Sequence, residues 1–487
     1  MKKDDKFLHF LASHAKNYGF VFPSSEIYGG INSIYDYGQY GVELKNNIKE
    51  YWWKSMTLLH ENIVGLDSSI LMHPDIWKAS GHIEKFNELL IDNKDSKKRY
   101  KPELLIHKRI NYLFDKYNHK KKKDEILYRM YKSLKRNDLL DIRLLIDELN
   151  ISDPICGSKN WTNIRLFNMM FKIPEKKLDL FLRPETAQGI FSNFSNVKKS
   201  GRMKIPFGIA QIGKSFRNEI VARQFIFRMR EFEQMEMQFF ILPEEEKKWY
   251  EYWKKIRLKW HLEFKLGKDK YKLKNHINLA HYSSSGTDIE FNFPFGFKEI
   301  EGIHSRRDFD LKRHGFFSKK KLRFFVDHFP SKNYIPYVIE TSLGLDRLFL
   351  AIFSSSLKIE KLENGKERVV LKIPPYLSPI KAGIFPLVSK NGLPEIAKKI
   401  FNEIKIDHKL IYDQKESIGK LYRRQDAIGT PICFTIDYDT IENNTVTMRH
   451  RDTMKQKRVH ITKISEEIEK ETGLKNILRK LSNDLVN

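Results

Sequence analysis

The chain has 487 residues, room for two to four domains at roughly 150 residues each. Apolar residues make up 41% and charged residues 31%, a globular composition that excludes a disordered chain. Lys and Arg outnumber Asp and Glu by 88 to 62, a formal net charge of +26. Such an excess points to a polyanion, either nucleic acid or an anionic membrane surface, unless the Lys-, Asn-, Ile- and Phe-rich text only reflects AT-rich codons.

Phe7, Phe10, Leu11 and Ala15 recur at helical spacing and predict an opening amphipathic helix. The first twenty residues hold no uninterrupted apolar run suited to a signal peptide. No stretch approaches the ~18 apolar residues of a membrane span, so a cytoplasmic, multidomain protein without membrane association is expected. A second helix is expected within 36–53, where Val42, Leu44, Ile48, Trp52 and Trp53 form a broad stripe suited to core packing or to a subunit interface.

From about 84 to 155 the text turns Lys-rich, with Lys120 to Lys123 in a row, and reads as a mostly helical inserted module. Its lysines suit a solvated loop or an RNA backbone contact. DPICGSKNWT (153–162) resembles a decayed zinc knuckle with one cysteine where a pair is needed. Cys156 and Cys433 are the only cysteines, so neither a disulfide framework nor a tetrahedral zinc site is expected.

Short strands and turns alternate over 205–353. In FEQMEMQFF (232–240), Met235, Met237 and Phe239 point one way and Phe232, Gln234, Glu236 and Gln238 the other, as in a half-buried antiparallel strand. Pro374-Pro375 marks a boundary. After it come strand (382–388), helix (393–404), strand (408–412), helix (416–427) and strand (431–437), an α/β domain.

The chain lacks a Walker loop, a GxGxxG after a strand, an HExxH and a GxSxG elbow. The informative segment is 215–240, where Arg217, Arg223, Arg228 and Arg230 interleave with Phe216, Phe225, Phe227 and Phe232. Arginines offer forks for phosphate oxygens and aromatic rings offer planes for a base. Arg217-x-Glu219 followed by Arg228-x-x-x-Phe232-x-x-x-Glu236 resembles the second signature of class II aminoacyl-tRNA synthetases. Gly344-x-x-Arg347 in ETSLGLDRLFLAIF resembles the third, and the 36–53 helix with a strand ending at Pro74 fits the degenerate first. RPETAQGIF (183–191), DYGQYGVELKNN (36–47), DIWKASGH (75–82) and EIEGIHSRRDFDL (299–311) are similar to blocks of the homodimeric type of glycyl-tRNA synthetase. DAIGTPICFTID (426–437) with TVTMRHRDT (445–453) resembles that family's C-terminal anticodon-binding domain.

The resemblance implies an α+β protein: an antiparallel six-stranded sheet flanked by helices, a helical insertion and a C-terminal α/β anticodon-binding domain. The expected divisions are 1–83 with the first motif, 84–155 for the insertion, 156–374 for the catalytic core and 375–487 for the anticodon-binding domain. It implies ATP-dependent attachment of glycine to its tRNA through glycyl-adenylate, a homodimer, and Mg²⁺ entering with ATP, without zinc. Arg217 would grip the α-phosphate and, with Arg347, be catalytic; Arg228 and Arg347 would hold the γ-phosphate end. Phe232 would stack on adenine and Glu219 meet its amino group. Glu299 would ligate Mg²⁺ beside the main chain of Ile300. Asn218, Phe227, Met229, Arg230, Glu231, Gly344, Leu345 and Asp346 would complete the ATP site.

For glycine, the implied site comprises Glu185, Phe232, Glu233, Gln234, Met235, Glu236, Arg306, Glu340, Thr341, Ser342, Leu343 and Gly344. Such a site grips the ammonium by charge and rejects larger residues by volume. Structurally, Glu185 could instead cap a helix and Glu233 be merely solvated. Lys101 stands where the family has arginine, keeping the charge and losing the fork. The C-terminal basic residues Arg423, Arg424, Arg449, Arg451 and Lys455 are candidates for tRNA contacts. Two competitors remain: a sister enzyme for serine, threonine, proline or histidine, and a catalytically dead nucleic-acid-binding relative, which would have lost the motif arginines.

Overall fold

The computed structural model describes residues 3–114, 120–175, 178–220, 224–277, 279, 282–325 and 333–486. Arg223, one of the four interleaved arginines, lies outside them. The chain forms two compact units: one comprises 1–70, 185–215 and 223–487, the other 71–184 and 216–222.

The larger unit is built on a sheet with seven described strands: β1 (Ile63–Gly65), β2 (Phe207–Phe216), β3 (Glu231–Ile241), β4 (Tyr271–Asn275), β5 (Ser285–Phe293), β6 (Gly296–Arg307) and β7 (Tyr337–Gly344). Their spatial order is β4-β5-β6-β7-β3-β2-β1. The β4/β5, β5/β6, β6/β7 and β7/β3 pairs are antiparallel. The expected six strands are joined by the short β1, which runs parallel to β2 and sets Ile63 opposite Gly208.

Alternation along β3 decides what each sheet face does. Met235, Met237 and Phe239 sink into a core shared with Ile303, Ile339 and Leu343. Three helices cover that face: α2 (Gln39–Thr57), α4 (Glu246–Leu262) and α6 (Leu345–Ser356), through Trp52, Trp253 and Phe349 among others. Leu44, Ile48 and Trp52 of α2 are fully buried while Val42 is exposed, so its stripe is chiefly core. On the opposite face, α3 (Ala187–Ser200) and α5 (Phe309–Ser318) pack Phe194 and Leu311 against Phe207, Phe240 and Val338. A half-buried β3 was expected, yet Gln234, Glu236 and Gln238 are buried as well. Their polar face is covered by polar partners.

The C-terminal segment forms a five-stranded sheet in the order Leu410–Tyr412, Ala382–Pro386, Ile432–Ile436, Thr445–His450, Gln456–His460. The first three strands are parallel and the last two join antiparallel, with Leu393–Ile404 and Ile418–Ile428 as crossover helices. This segment shares core with the seven-stranded sheet and its helices. Tyr376, Leu377, Ile380, Ile428, Leu478 and Leu481 belong to the same apolar cluster as α2, α4 and α6. Buried Asp426 receives Arg368 Nη1 at 3.0 Å and Arg449 Nη1 and Nη2 at 2.9 and 3.0 Å.

In the smaller unit the helices Pro74–Ser80 and His82–Lys85 precede the longer Pro102–Phe114, Lys120–Arg136 and Leu139–Glu148, beside a sheet of the strands Asn87–Asp92, Arg99–Tyr100 and Arg165–Asn168. In its 153–157 loop, Asp153 accepts from the backbone N–H groups of Ile155 and Cys156 at 2.6 and 3.1 Å. Asp153 also takes Ser96 Oγ at 2.6 Å, so hydrogen bonds organise this turn. Among the described residues, no helix is long and apolar enough to cross a membrane.

Candidate active site

The polar sheet face carries the site. Register places Gln238 opposite Glu340, Glu340 opposite His304, Glu236 opposite Ser342, and Ser342 opposite Gly302. Glu236 and Glu340 are each 3% exposed, and both carboxylates are held by built-in donors. Glu236 accepts Thr186 Oγ1, Ser342 Oγ at 2.7 Å and Gln234 Nε2 at 3.3 Å. Glu340 accepts Gln238 Nε2 at 2.7 Å and Arg306 Nη1 at 2.9 Å. Arg306 is fixed in turn by Asp310, through Nε at 2.7 Å and Nη2 at 2.8 Å, and lies over the Tyr282 ring at 3.9 Å.

Thr186 and Gln188 come from the start of α3. Thr186 is its N-cap residue, yet its hydroxyl caps nothing, being committed to Glu236. Gln188 Nε2 donates to Glu185 at 2.9 Å and to Asp310 at 3.2 Å. His314 Nε2 meets Gln188 Oε1 at 2.8 Å.

The two carboxyls titrate in opposite directions. Burial, then the nearby Glu340 and Glu185, push Glu236 well up. Burial would also raise Glu340, but Arg306 and His304 outweigh it and hold that carboxyl down. Arg306 is matched by Asp310 and Glu340, whereas the Glu236 carboxyl is met by two hydroxyls and an amide. A buried carboxyl held by neutral donors, as Glu236 is, favours a small cationic guest that can take its charge.

The other residues singled out from sequence divide by position. Met235, Thr341 and Leu343 turn into the helix-covered face, as does Ile300, so only their main chain is available to a ligand. Glu233 is not merely solvated. It meets Lys45 of α2 at 2.6 Å and Lys49 at 3.5 Å, while its backbone N–H donates to Asp346 Oδ2 at 2.8 Å. Asp346 also contacts Lys45 at 3.0 Å and accepts from Tyr37. These two acids therefore form a buried ion network that anchors α2 to β3 and α6. Leu345 opens α6 and is fully buried.

Arg347 donates Nη1 to the Glu299 main-chain oxygen at 3.1 Å, meets the Glu299 carboxylate at 3.1 Å, and lies over Phe227 at 4.6 Å. Met229 and Phe227 are buried near the turn that presents Arg228 and Arg230, whose backbone N–H donates to Ser33 at 3.0 Å. Lys214 on β2 holds Glu231. Phe232 is half-buried against the core, and Gly344 ends β7 at the N-cap of α6.

In the smaller unit, Arg217 Nε donates to Pro184 O at 3.0 Å and the guanidinium lies 5.4 Å from the Phe86 ring centre. The backbone N–H groups of Asn218 and Glu219 donate to Met169 O and Arg217 O, each at 2.7 Å. Lys101 pairs with Glu88. Sequence reasoning missed Thr186, Gln188, Gln238, His304 and Asp310. All five stand inside segments already quoted, and only strand register and helix docking showed that they meet.

Three family models match consecutive parts of the chain: "Glycyl-tRNA synthetase insertion domain 1" over 88–169, "tRNA synthetase class II core domain (G, H, P, S and T)" over 170–356, and "Anticodon binding domain" over 381–471. A glycine--tRNA ligase of Chlorobaculum tepidum is 47% identical over 469 residues, covering 94% of this chain and 98% of its own. Those of Borrelia hermsii and Staphylococcus haemolyticus are 48% and 46% identical, covering 93% and 94% of this chain and 94% and 97% of their own. A solved structure described as the RNA binding domain of threonyl-tRNA synthetase from Cryptosporidium parvum Iowa II superposes with a TM-score of 0.62 at 14% identity. It covers 95% of this chain and 98% of that one, and this likeness speaks for the fold alone. The core model is shared with serine, threonine, proline and histidine enzymes, whereas the insertion and the full-length relatives are not; the chain belongs to the glycine--tRNA ligase family of class II aminoacyl-tRNA synthetases.

Proposed function

We infer that the protein is an ATP-dependent ligase that forms glycyl-adenylate and transfers glycine to its tRNA. The observation that carries the choice of substrate is the buried Glu236–Glu340 pair with Glu185 beside it, in which Arg306 serves Glu340 and Glu236 is pushed well up. Glycine offers no side chain to hold, and an acidic cluster can grip its ammonium. Glu340, kept ionised by Arg306, is the standing counter-charge, and Glu236 becomes fully ionised when the ammonium arrives. Arg306 and Asp310 are positioning residues that act through Glu340.

The glycine carboxylate is the nucleophile at the α-phosphate, and pyrophosphate leaves. The protein supplies position and charge stabilisation, with no covalent step of its own. Arg217 would stabilise the α-phosphate, and Arg228 and Arg347 the γ-phosphate end. Phe232 would stack on adenine, and Glu219 would meet the adenine amino group. The main chains of Phe227 to Glu231 and Gly344 to Asp346 would shape the ATP site, with Asn218 beside Arg217. Lys101 would contribute one charge in place of a guanidinium fork. Mg²⁺ entering with ATP would neutralise phosphate charge. The half-exposed Glu299 carboxylate offers the hard oxygen donor that ion favours, once Arg347 releases it to phosphate. The C-terminal domain would bind the tRNA anticodon, and two copies of the chain would form a cytoplasmic homodimer.

Amino-acid-dependent exchange of pyrophosphate into ATP, run against all twenty amino acids, tests the reading. Glycine alone should support exchange, with serine and alanine at least ~100-fold poorer. Comparable exchange with another amino acid would overturn the assignment to glycine and leave the class intact.

A further inference from the structure

At the margin of the polar sheet face stand three residues, of which the adenylation reading uses only His304, as a neighbour of Glu340. We propose that His276, Asp288 and His304 form a binding site for one divalent transition-metal ion of the zinc type. His276 follows β4 directly, Asp288 lies in β5 and His304 in β6. One ligand-capable atom from each falls within 4.8 Å of the other two, the single such triad among the described residues.

The backbone is arranged to admit the two rings. The N–H of His276 donates to Gly286 O at 2.9 Å, Gly286 lies opposite His304, and Gly302 lies opposite Asp288. A side chain at 286 would come within 2.9 Å of both His276 Nδ1 and His304 Cδ2. One at 302 would meet His304 Cε1 at 2.8 Å. Two glycines thus open the space that the imidazoles occupy, and the rings meet edge to face with centres 5.2 Å apart.

His276 Nε2 is already 2.8 Å from Asp288 Oδ1, so a metal would replace a proton shared between them. His304 Nδ1 lies 3.4 Å from Glu340 Oε1. A ligating histidine commonly turns its second nitrogen to a carboxylate, which fixes the ring and raises its basicity. Glu340 stands ready for that part.

Two imidazoles and one carboxylate select zinc, cobalt or nickel over Mg²⁺ and Ca²⁺, which take oxygen ligands. Three protein ligands leave a fourth tetrahedral position for water or another small donor. Neither cysteine is part of the triad. The bland alternative is a His276–Asp288 ion pair with His304 packed beside it.

The test uses the full-length, chelator-stripped protein in excess Mg²⁺, which fills all-oxygen sites. Equilibrium dialysis should find one Zn²⁺ per chain. Co²⁺ alone should give the intense visible bands of a tetrahedral site, removed by adding Zn²⁺. His304→Ala and, independently, His276→Gln should each weaken binding at least ~10-fold, while Cys156→Ser should bind like the parent. Circular dichroism identifies any variant that fails to fold, and the remaining variant then decides. Should both fail to fold, the parent's stoichiometry and Co²⁺ spectrum decide. Substoichiometric binding, a Co²⁺ spectrum like that of the hydrated ion, or unchanged affinity in a folded variant would each overturn the proposal.

Discussion

Glu236 and Glu340 lie diagonally across neighbouring antiparallel strands on one sheet face, and only Glu340 has a guanidinium. Arg306 reaches Glu340 at 2.9 Å, while Glu236 is served by two hydroxyls and an amide. Two equally buried acids thereby acquire opposite proton affinities.

Glycine recognition should therefore depend on pH with a defined sign. Burial, Glu340 and Glu185 push Glu236 up to about 8, so below that value the free enzyme holds a proton on it. An ammonium needs the ionised form, and binding must expel the proton. The glycine KM should fall as pH rises toward about 8. Calorimetry in buffers of differing ionisation enthalpy should show proton release, and Glu236→Gln should abolish both effects. Proton uptake on binding would contradict this account.

Glu340→Gln keeps the shape and removes the standing counter-charge. A hydrogen bond to a charged group contributes about 1.5–3 kcal/mol, so the glycine KM in exchange should rise roughly 10- to 100-fold. The maximal rate should change much less. An unchanged glycine dependence would remove Glu340 from the ammonium site.

Arg217→Ala should nearly abolish exchange while the thermal midpoint stays put. Its guanidinium donates to a main-chain oxygen and lies near the Phe86 ring, a polar contact and not a packed apolar one. Losing a donor aimed at developing charge typically costs about 3 kcal/mol or more. Near-normal exchange in this variant would show that Arg217 is not the α-phosphate ligand.

The link between Arg368 and Asp426 bears on the C-terminal domain. Asp426 is fully buried and Arg368 is 2% exposed. Removing one partner of a buried pair costs about 3–5 kcal/mol, so Asp426→Ala should lower the melting temperature markedly and reduce exchange and charging together. A chain cut near Pro374 would expose apolar core and take Asp426 from Arg368, leaving it Glu360 alone, and should not fold to an exchange-competent protein. Retention of normal thermal stability by Asp426→Ala would argue against the coupling.

Of the basic residues proposed to meet tRNA, Arg449 and Arg451 are 5% and 2% exposed and serve this internal network. Arg423, Arg424 and Lys455 remain exposed. Replacing those three with alanine should weaken tRNA charging, flatten its salt dependence and leave pyrophosphate exchange intact. Equal damage to both activities would assign them a structural part.

The family was legible because signature motifs are local. Arg217-x-Glu219, Arg228 to Glu236 and Gly344-x-x-Arg347 are spacings that short stretches of chain display without any fold. Alternation likewise foretold which β3 side chains share a face, since strand geometry has a period of two. What alternation could not show was what faces them. Thr186 reaches Glu236 across 50 residues, Arg306 reaches Glu340 across 34, and Arg368 reaches Asp426 across 58. Those pairings arise from strand register and helix docking, as do the burial of Glu233 against Lys45 and the loss of Arg449 and Arg451 from the surface. Residue types and spacings dictated the chemistry available. Which charge is neutralised, and by what, was decided only when distant segments were brought within hydrogen-bonding distance in a water-poor interior.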